Sequence, residues 1–115
     1  MQFPNLIRIR QHFPRPRVED LEGTLTAELA ASGVAVSPGA RIAIAVGSRG
    51  IANLPRLVKT VVSWVKAQGG EPFLVPAMGS HGGATAEGQR EVLEGYGVTE
   101  AAMGAPIRSS MEVVE

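Results

Sequence analysis

The chain contains no cysteine, which excludes disulfide bonds and metal sites built from thiolates. Basic and acidic side chains number 11 each, so the formal net charge is zero. A balanced charge argues against the broad basic surface that nucleic acids or anionic membranes attract, and we expect neither partner. Apolar runs stay far below the ~20 residues of a membrane span, and the first residues lack the basic and apolar regions of a signal peptide. We therefore expect a cytoplasmic setting.

Histidine is also scarce, with only His12 and His81 in the chain. No group of histidines or carboxylates has the spacing of a metal site, so we predict no metal ligand in this chain. The phosphate-binding patterns Gly-x-Gly-x-x-Gly and Gly-x-x-x-x-Gly-Lys-Ser/Thr are missing as well. Ser80 has no glycine two residues before it, which excludes the nucleophile elbow of α/β-hydrolases.

What is present, from residue 41 onward, is an alternation of short apolar runs with longer periodic segments. Residues 42–46 have the continuous apolar pattern of a strand buried on both faces, and residues 73–75 are predicted as the next strand. Between them, residues 54–65 place their apolar side chains on one helical face. This order predicts a right-handed βαβ unit with a mostly parallel, Rossmann-like sheet, and hence the α/β class.

Further helices are predicted on either side of this unit. In residues 18–31, Leu21, Leu25 and Leu29 lie on one helical face, and Gly33 suits the end of that helix. Residues 85–96 are predicted as a more polar helix.

Both ends of the chain carry strand-like patterns. Residues 3–13 alternate apolar and basic side chains, which predicts an edge strand that reaches another part of the protein. A further strand is predicted from Ile107, and the chain stops in a β-prone run, residues 111–115. We therefore expect residues 1–115 to form a single α/β domain, or an incomplete N-terminal fragment of a longer protein.

Two glycine-rich loops follow the two strands of the predicted βαβ unit. Residues 47–50 read Gly-Ser-Arg-Gly, and residues 76–85 read Pro-Ala-Met-Gly-Ser-His-Gly-Gly-Ala-Thr. Glycine allows the backbone to approach a ligand closely, and the helix that follows presents unpaired N–H groups to an anion. Because open parallel sheets bind ligands beyond the carboxyl ends of their strands, we expect both loops to share one anion-binding site.

Specific residues of these loops are predicted to act on a ligand. His81 is the candidate acid/base, since an imidazole moves protons near neutral pH. Simpler interpretations stay open: His81 as a surface cap of the next helix, Arg49 as a solvated loop charge, and the glycines as closers of tight turns. The candidate binding residues are Ser48, Arg49, Gly79, Ser80, Gly82 and Gly83.

These loops resemble the N-terminal part of the lactate racemase-like family, whose members use a nickel-pincer nucleotide. The resemblance covers residues 41–111 and consists of Ser-Arg-Gly at 48–50, Ala-Met-Gly-Ser-His-Gly-Gly-Ala-Thr-Ala-Glu-Gly at 77–88, and a helix that ends in Tyr-Gly-Val at 96–98. It implies that His81 is a catalytic acid/base and that Arg49 helps to hold the substrate. The implied reaction is racemisation or epimerisation of a 2-hydroxy acid by hydride transfer to and from the cofactor.

The chain departs from lactate racemase at three positions. That enzyme has an aspartate where Val46 stands, a proline where Gly50 stands and an arginine where Gly82 stands, and these departures point to a substrate other than lactate. The family's cofactor-bearing lysine, nickel-binding histidine and second catalytic histidine lie later in the full chain. The resemblance therefore implies the N-terminal portion of such an enzyme, inactive and without cofactor on its own, with a missing C-terminal domain as its partner and with self-association left open.

A second hypothesis needs no catalysis. The same two loops suit a non-catalytic α/β module that binds a phosphate or a carboxylate. A structural subunit or interface domain is a third hypothesis. A lysine and a histidine downstream in a longer reading frame would separate the racemase from both.

Overall fold

A computed structural model describes residues 4–113 and shows a mixed α/β arrangement, which confirms the predicted class. In this range two strands, β1 (Arg41–Val46) and β2 (Glu71–Pro76), form a parallel sheet. The four helices of the same range are α1 (Leu21–Ala31), α2 (Leu54–Ala67), α3 (Ala86–Gly95) and α4 (Glu100–Met103). A short 3₁₀ turn, His81–Ala84, precedes α3.

The βαβ unit is the centre of the fold. Strands β1 and β2 are parallel neighbours, as predicted, and α2 connects them. The apolar stripe of α2 is confirmed, because Leu54, Val58, Val62 and Val65 are buried along one face of the helix. Leu54, Val58 and Val62 belong to the same core cluster as Leu74 of β2, which is completely buried. Burial of this stripe holds α2 against the two strands.

The prediction that β1 is buried on both faces is wrong. Ile44 and Val46 pack in or against the core, whereas Ala43 and Ala45 are exposed. Alternate residues of a strand point to opposite faces, so only one face of β1 is packed within the described residues. The continuous apolar run therefore did not reveal how many faces are covered.

The two strand predictions near the ends also need correction. Residues 4–13 form no strand and are exposed throughout, because nothing in the described range pairs with them; Phe3 lies outside the described residues. Ile107 makes one parallel bridge, to Leu74, and does not begin a regular strand. Of the β-prone final run, residues 114–115 lie outside the described range.

Helices α1 and α4 pack around α2. Arg56 on α2 donates two hydrogen bonds of 2.6 Å to the carboxylate of Glu22 on α1. Lys59 donates to the carbonyl of Met103 over 3.2 Å, and Lys66 donates to the carbonyl of Gly104. Both lysines thus bind carbonyls at the C-terminus of α4, where a helix favours positive charge. No helix in residues 4–113 is long and apolar enough to cross a membrane.

Candidate functional site

The two glycine-rich loops leave the sheet side by side. Val46 and Pro76, the last residues of the two strands, are register partners, and the Ala77 amide donates to the Val46 carbonyl over 2.8 Å. The loops therefore meet at one edge of the sheet, as the strand order predicted. They enclose an open cleft of about 530 Å³. Its lining comprises Gly47, Ser48, Arg49, Ile51, Ala77, Met78, Gly79, Ser80 and His81.

The cleft brings together five of the seven predicted site residues. Ser48, Arg49, Gly79, Ser80 and His81 line it. The first two come from one loop and the other three from the second. The shared site therefore depends on the pairing of β1 with β2, and not on either loop alone.

Gly82 and Gly83 do not line the cleft. Gly82 has φ of +63°, and a Cβ atom built on it would lie 2.3 Å from the carbonyl carbon of Gly88. This glycine lets the 3₁₀ turn pack directly against α3, which accounts for it without a ligand. Gly83 has φ of +66° with open space around it.

Ser48 and His81 form a pair across the two loops. Ser48 is only 5% exposed, whereas His81 is exposed to the cleft. The Ser48 hydroxyl is hydrogen-bonded to Nδ1 of the His81 imidazole. Since Nδ1 is occupied, Nε2 is the ring nitrogen left to bind or exchange a proton with a ligand.

Helix α3 and the residue that caps its C-terminus, Tyr96, anchor both loops through two side chains that the sequence did not single out for the site. The Tyr96 hydroxyl donates to the Ser48 carbonyl over 3.0 Å. The Gln89 side-chain amide donates to the Gly79 carbonyl over 2.8 Å, and Gln89 is itself buried. A sequence signal existed for Gln89, because it lies four residues before the buried Leu93 and so shares its helical face. A polar side chain on a buried face needs a partner.

The N-terminus of α3 presents fewer free N–H donors to an anion than the sequence predicted. The Thr85 side chain accepts a hydrogen bond of 3.0 Å from the Gly88 amide and so occupies one of the free donors. Glu87 adds a negative charge to the first turn. The helix end is thus capped by its own residues, and the positive charge of the cleft comes from Arg49.

Arg49 is well placed to bind an anion in the cleft. It is exposed, it lines the cleft, and it has no hydrogen bond or salt bridge to another residue within the part of the chain that the structure describes. A guanidinium presents a planar fork of donors that matches a carboxylate in a bidentate geometry. Arg49 thus gives the cleft a permanent positive charge, and His81 gives it a group that can transfer a proton.

The cleft does not by itself fit a nickel-pincer nucleotide. In residues 4–113 no three His, Cys, Asp or Glu side chains are grouped as metal ligands. Its lining contains one imidazole, no carboxylate and no lysine, and Lys59 and Lys66 are bound at the end of α4. A tether and metal ligands for such a cofactor would have to come from other residues.

The Ser48–His81 pair is also unsuited to acyl transfer by a serine nucleophile. A nucleophile must reach the substrate, but the Ser48 side chain is buried. His81 has no carboxylate partner that would orient it as in a catalytic triad, within the described residues. The arrangement therefore favours proton transfer by the imidazole.

No family model, no curated protein and no solved structure matches this chain. The family resemblance therefore rests on the residues of the two loops and of the helix that follows the second loop.

Proposed function

We propose that this chain supplies half of the active site of a lactate racemase-like enzyme, which racemises or epimerises a 2-hydroxy acid. The observation that carries the proposal is the shared cleft, in which Arg49 of one loop and His81 of the other line the same space. These two residues are the ones to which the resemblance assigns substrate binding and acid/base catalysis.

The chemistry of a 2-hydroxy acid matches the two groups. Its carboxylate would accept two hydrogen bonds from the Arg49 guanidinium. Its hydroxyl proton would pass to Nε2 of His81 as the substrate is oxidised to a 2-oxo acid. By the resemblance, a second catalytic histidine outside this chain would serve the opposite face, where the acid is re-formed with inverted configuration. Hydride transfer belongs to a cofactor held by residues outside this chain, so the roles proposed here are binding and proton transfer.

The proposal places this chain within a larger assembly. In this proposal the complete protein has a more extensive Rossmann-like domain and a C-terminal domain that holds the cofactor and acts as the partner. The complete protein works in the cytoplasm. The exposed face of β1, with Ala43 and Ala45, supports a sheet that is completed by further residues. The exposed apolar side chains of Leu6, Ile7 and Ile9 support the same reading of the N-terminal segment.

The second candidate function is a non-catalytic module that binds a phosphate or carboxylate. Arg49 favours this module as well, because a permanent positive charge between two glycine-rich loops binds an anion without any proton transfer. The two functions differ in what His81 does: only the racemase requires it to exchange a proton.

The test uses the complete gene product that contains these residues, loaded with nickel-pincer nucleotide. Single enantiomers of several 2-hydroxy acids are incubated with it, and the products are separated by chiral chromatography. We expect one substrate to be racemised and His81→Ala to lower turnover by ~100-fold or more, because a positioned acid/base contributes that much. His12→Ala is the matched control, since His12 lies in the exposed N-terminal segment, and it should leave turnover unchanged.

Two results would contradict the racemase. One is full turnover in His81→Ala, and the other is no conversion of any 2-hydroxy acid by the loaded protein. Carboxylate binding that depends on Arg49 but is accompanied by no conversion would support the anion-binding module instead.

A further inference from the structure

We infer that Ser48 is a positioning residue that holds the His81 imidazole through Nδ1 and sets which ring nitrogen carries the proton. The inference builds on the proposed function only in the assumption that Nε2 acts on the ligand. From the sequence, Ser48 was expected to bind the substrate or anion directly. The structure gives its hydroxyl a protein partner instead.

The burial and anchoring of Ser48 fit a positioning role. The residue is only 5% exposed, so solvent competes little for the hydroxyl. Its backbone is held by the hydrogen bond of 3.0 Å from Tyr96 to the Ser48 carbonyl. The ring it holds is exposed to the cleft, on a loop whose Gly79 carbonyl is bound by Gln89. Ser48 is therefore held in place by the fold, and its hydroxyl can restrain the more exposed His81 imidazole.

The need of the Ser48 hydroxyl for an acceptor indicates that it donates to Nδ1 of His81. A serine hydroxyl has one proton to donate, and leaving a buried donor without an acceptor is costly. Within residues 4–113 the Ser48 hydroxyl has no acceptor besides Nδ1 of His81. The neutral imidazole of the free chain therefore accepts at Nδ1 and carries its own proton on Nε2. Before Nε2 can take a substrate proton, the ring must change to its Nδ1–H form and the Ser48 hydroxyl must turn to accept from Nδ1.

The same hydroxyl also accommodates the protonated ring. In the imidazolium form Nδ1–H donates, and the hydroxyl oxygen of Ser48 can accept that bond. A carboxylate at this place could only accept and would favour the Nδ1–H form. A hydroxyl partner therefore accommodates three forms of the ring: the Nε2–H form of the free chain, the Nδ1–H form in which Nε2 can act as a base, and the imidazolium that results.

Nitrogen NMR of the imidazole rings tests the inference without any activity. Long-range ¹H–¹⁵N spectra of this chain are recorded near pH 8, where an ordinary histidine is neutral. His12 serves as the internal reference, because its segment is exposed. We expect His81 to show a larger excess of the Nε2–H form than His12. Ser48→Ala should shift the His81 signals to the values of His12, and Ser48→Thr, which keeps the hydroxyl, should retain the wild-type pattern.

Identical His81 spectra in wild type and Ser48→Ala would overturn the inference, as would a dominant Nδ1–H form in the wild type. Thermal melts check that both variants are folded. Because these spectra require no turnover, they distinguish failure of the positioning role from failure of the proposed racemase.

A kinetic measurement on the complete, loaded enzyme adds a second readout. Ser48→Ala should lower kcat by about 10- to 100-fold with little change in KM, since a misplaced catalytic group costs rate more than binding. Arg49→Ala should mainly raise KM. An equal rise of KM in Ser48→Ala would mean that Ser48 binds substrate directly, and the positioning role would be wrong.

Discussion

At the scale of single residues, the candidate site is held by contacts of the two loops with each other, with α3 and with its C-cap residue. Ser48 binds His81, Tyr96 binds the Ser48 carbonyl, and Gln89 binds the Gly79 carbonyl. Each bond joins residues at least ten positions apart. The geometry of the cleft is therefore set by tertiary packing, although its residue types are visible in the sequence.

Gly82 and Gly83 allow the cost of a positive φ to be separated from the cost of a close approach between the 3₁₀ turn and α3. Both have positive φ, +63° and +66°, but only Gly82 has backbone atoms of Gly88 and Gln89 within 2.3–2.5 Å of a built Cβ atom. Gly83→Ala should cost about 1 kcal/mol of the free energy of unfolding, for the strained backbone alone. Gly82→Ala should cost a further ~1–3 kcal/mol, because the turn must move away from α3.

Chemical denaturation of both variants checks this prediction. Equal destabilisation would show that the close approach of the turn to α3 does not hold in solution. The displacement in Gly82→Ala should also weaken ligand binding at the neighbouring His81, whereas Gly83→Ala should affect it less.

At the scale of elements, α4 is fixed by charged side chains as well as by apolar packing. Glu100 accepts a hydrogen bond of 2.7 Å from the Ile107 amide and one of 3.2 Å from Arg90. The Ile107 amide, and after it the Arg90 guanidinium, lower the pKa of the Glu100 carboxyl from its ordinary value. This carboxylate connects α3, the start of α4 and the segment that bridges to β2.

The lowered pKa of Glu100 predicts a pH-dependent loss of stability. A carboxyl whose pKa is lower in the folded state stabilises fully above its unfolded pKa, ~4.3 for glutamate, and loses this contribution as the pH falls through the folded value. Glu100→Gln should therefore be less stable than wild type at pH 7, and the difference should shrink below about pH 4. Thermal melts across pH 3–7 measure it.

Glu94→Gln is the matched control for Glu100. Glu94 is exposed on α3 and has no side-chain hydrogen bond within the described residues, so its replacement should change the melting temperature little at any pH. A difference between wild type and Glu100→Gln that is constant from pH 3 to 7 would contradict the prediction.

The elements themselves were largely predictable because their signals are local. The apolar stripe of α2 and the glycines after it mark a helix between two strands, and strand order then brings the two loops to one edge. The apolar pattern of β1 predicted a strand but not that one of its faces is exposed. Which elements pack against each face depends on parts of the chain that are distant in sequence. The alternation of residues 4–13 indicates strand propensity, but a strand also needs a partner edge.

At the scale of the whole molecule, the chain is extended. Its radius of gyration is 19.0 Å, against roughly 13 Å for a compact domain of about 100 residues. Residues 4–20 are exposed throughout and precede α1, while the core lies between the sheet, α2 and α3. The cleft lies beside this core, where β1 and β2 end, and its two loops start from paired residues of the sheet.

The central claim is that both loops form one carboxylate site centred on Arg49 and His81. The most direct test is a titration of the ¹⁵N-labelled chain with 2-hydroxy carboxylates, followed by backbone amide NMR. We predict that residues 47–50 and 78–81 shift together with one dissociation constant. Arg49→Ala should weaken binding by about 10-fold or more through loss of a charge-assisted hydrogen bond, whereas Arg15→Ala, in the exposed N-terminal segment, should not. Shifts confined to one loop, or binding that is unchanged in Arg49→Ala, would contradict the account.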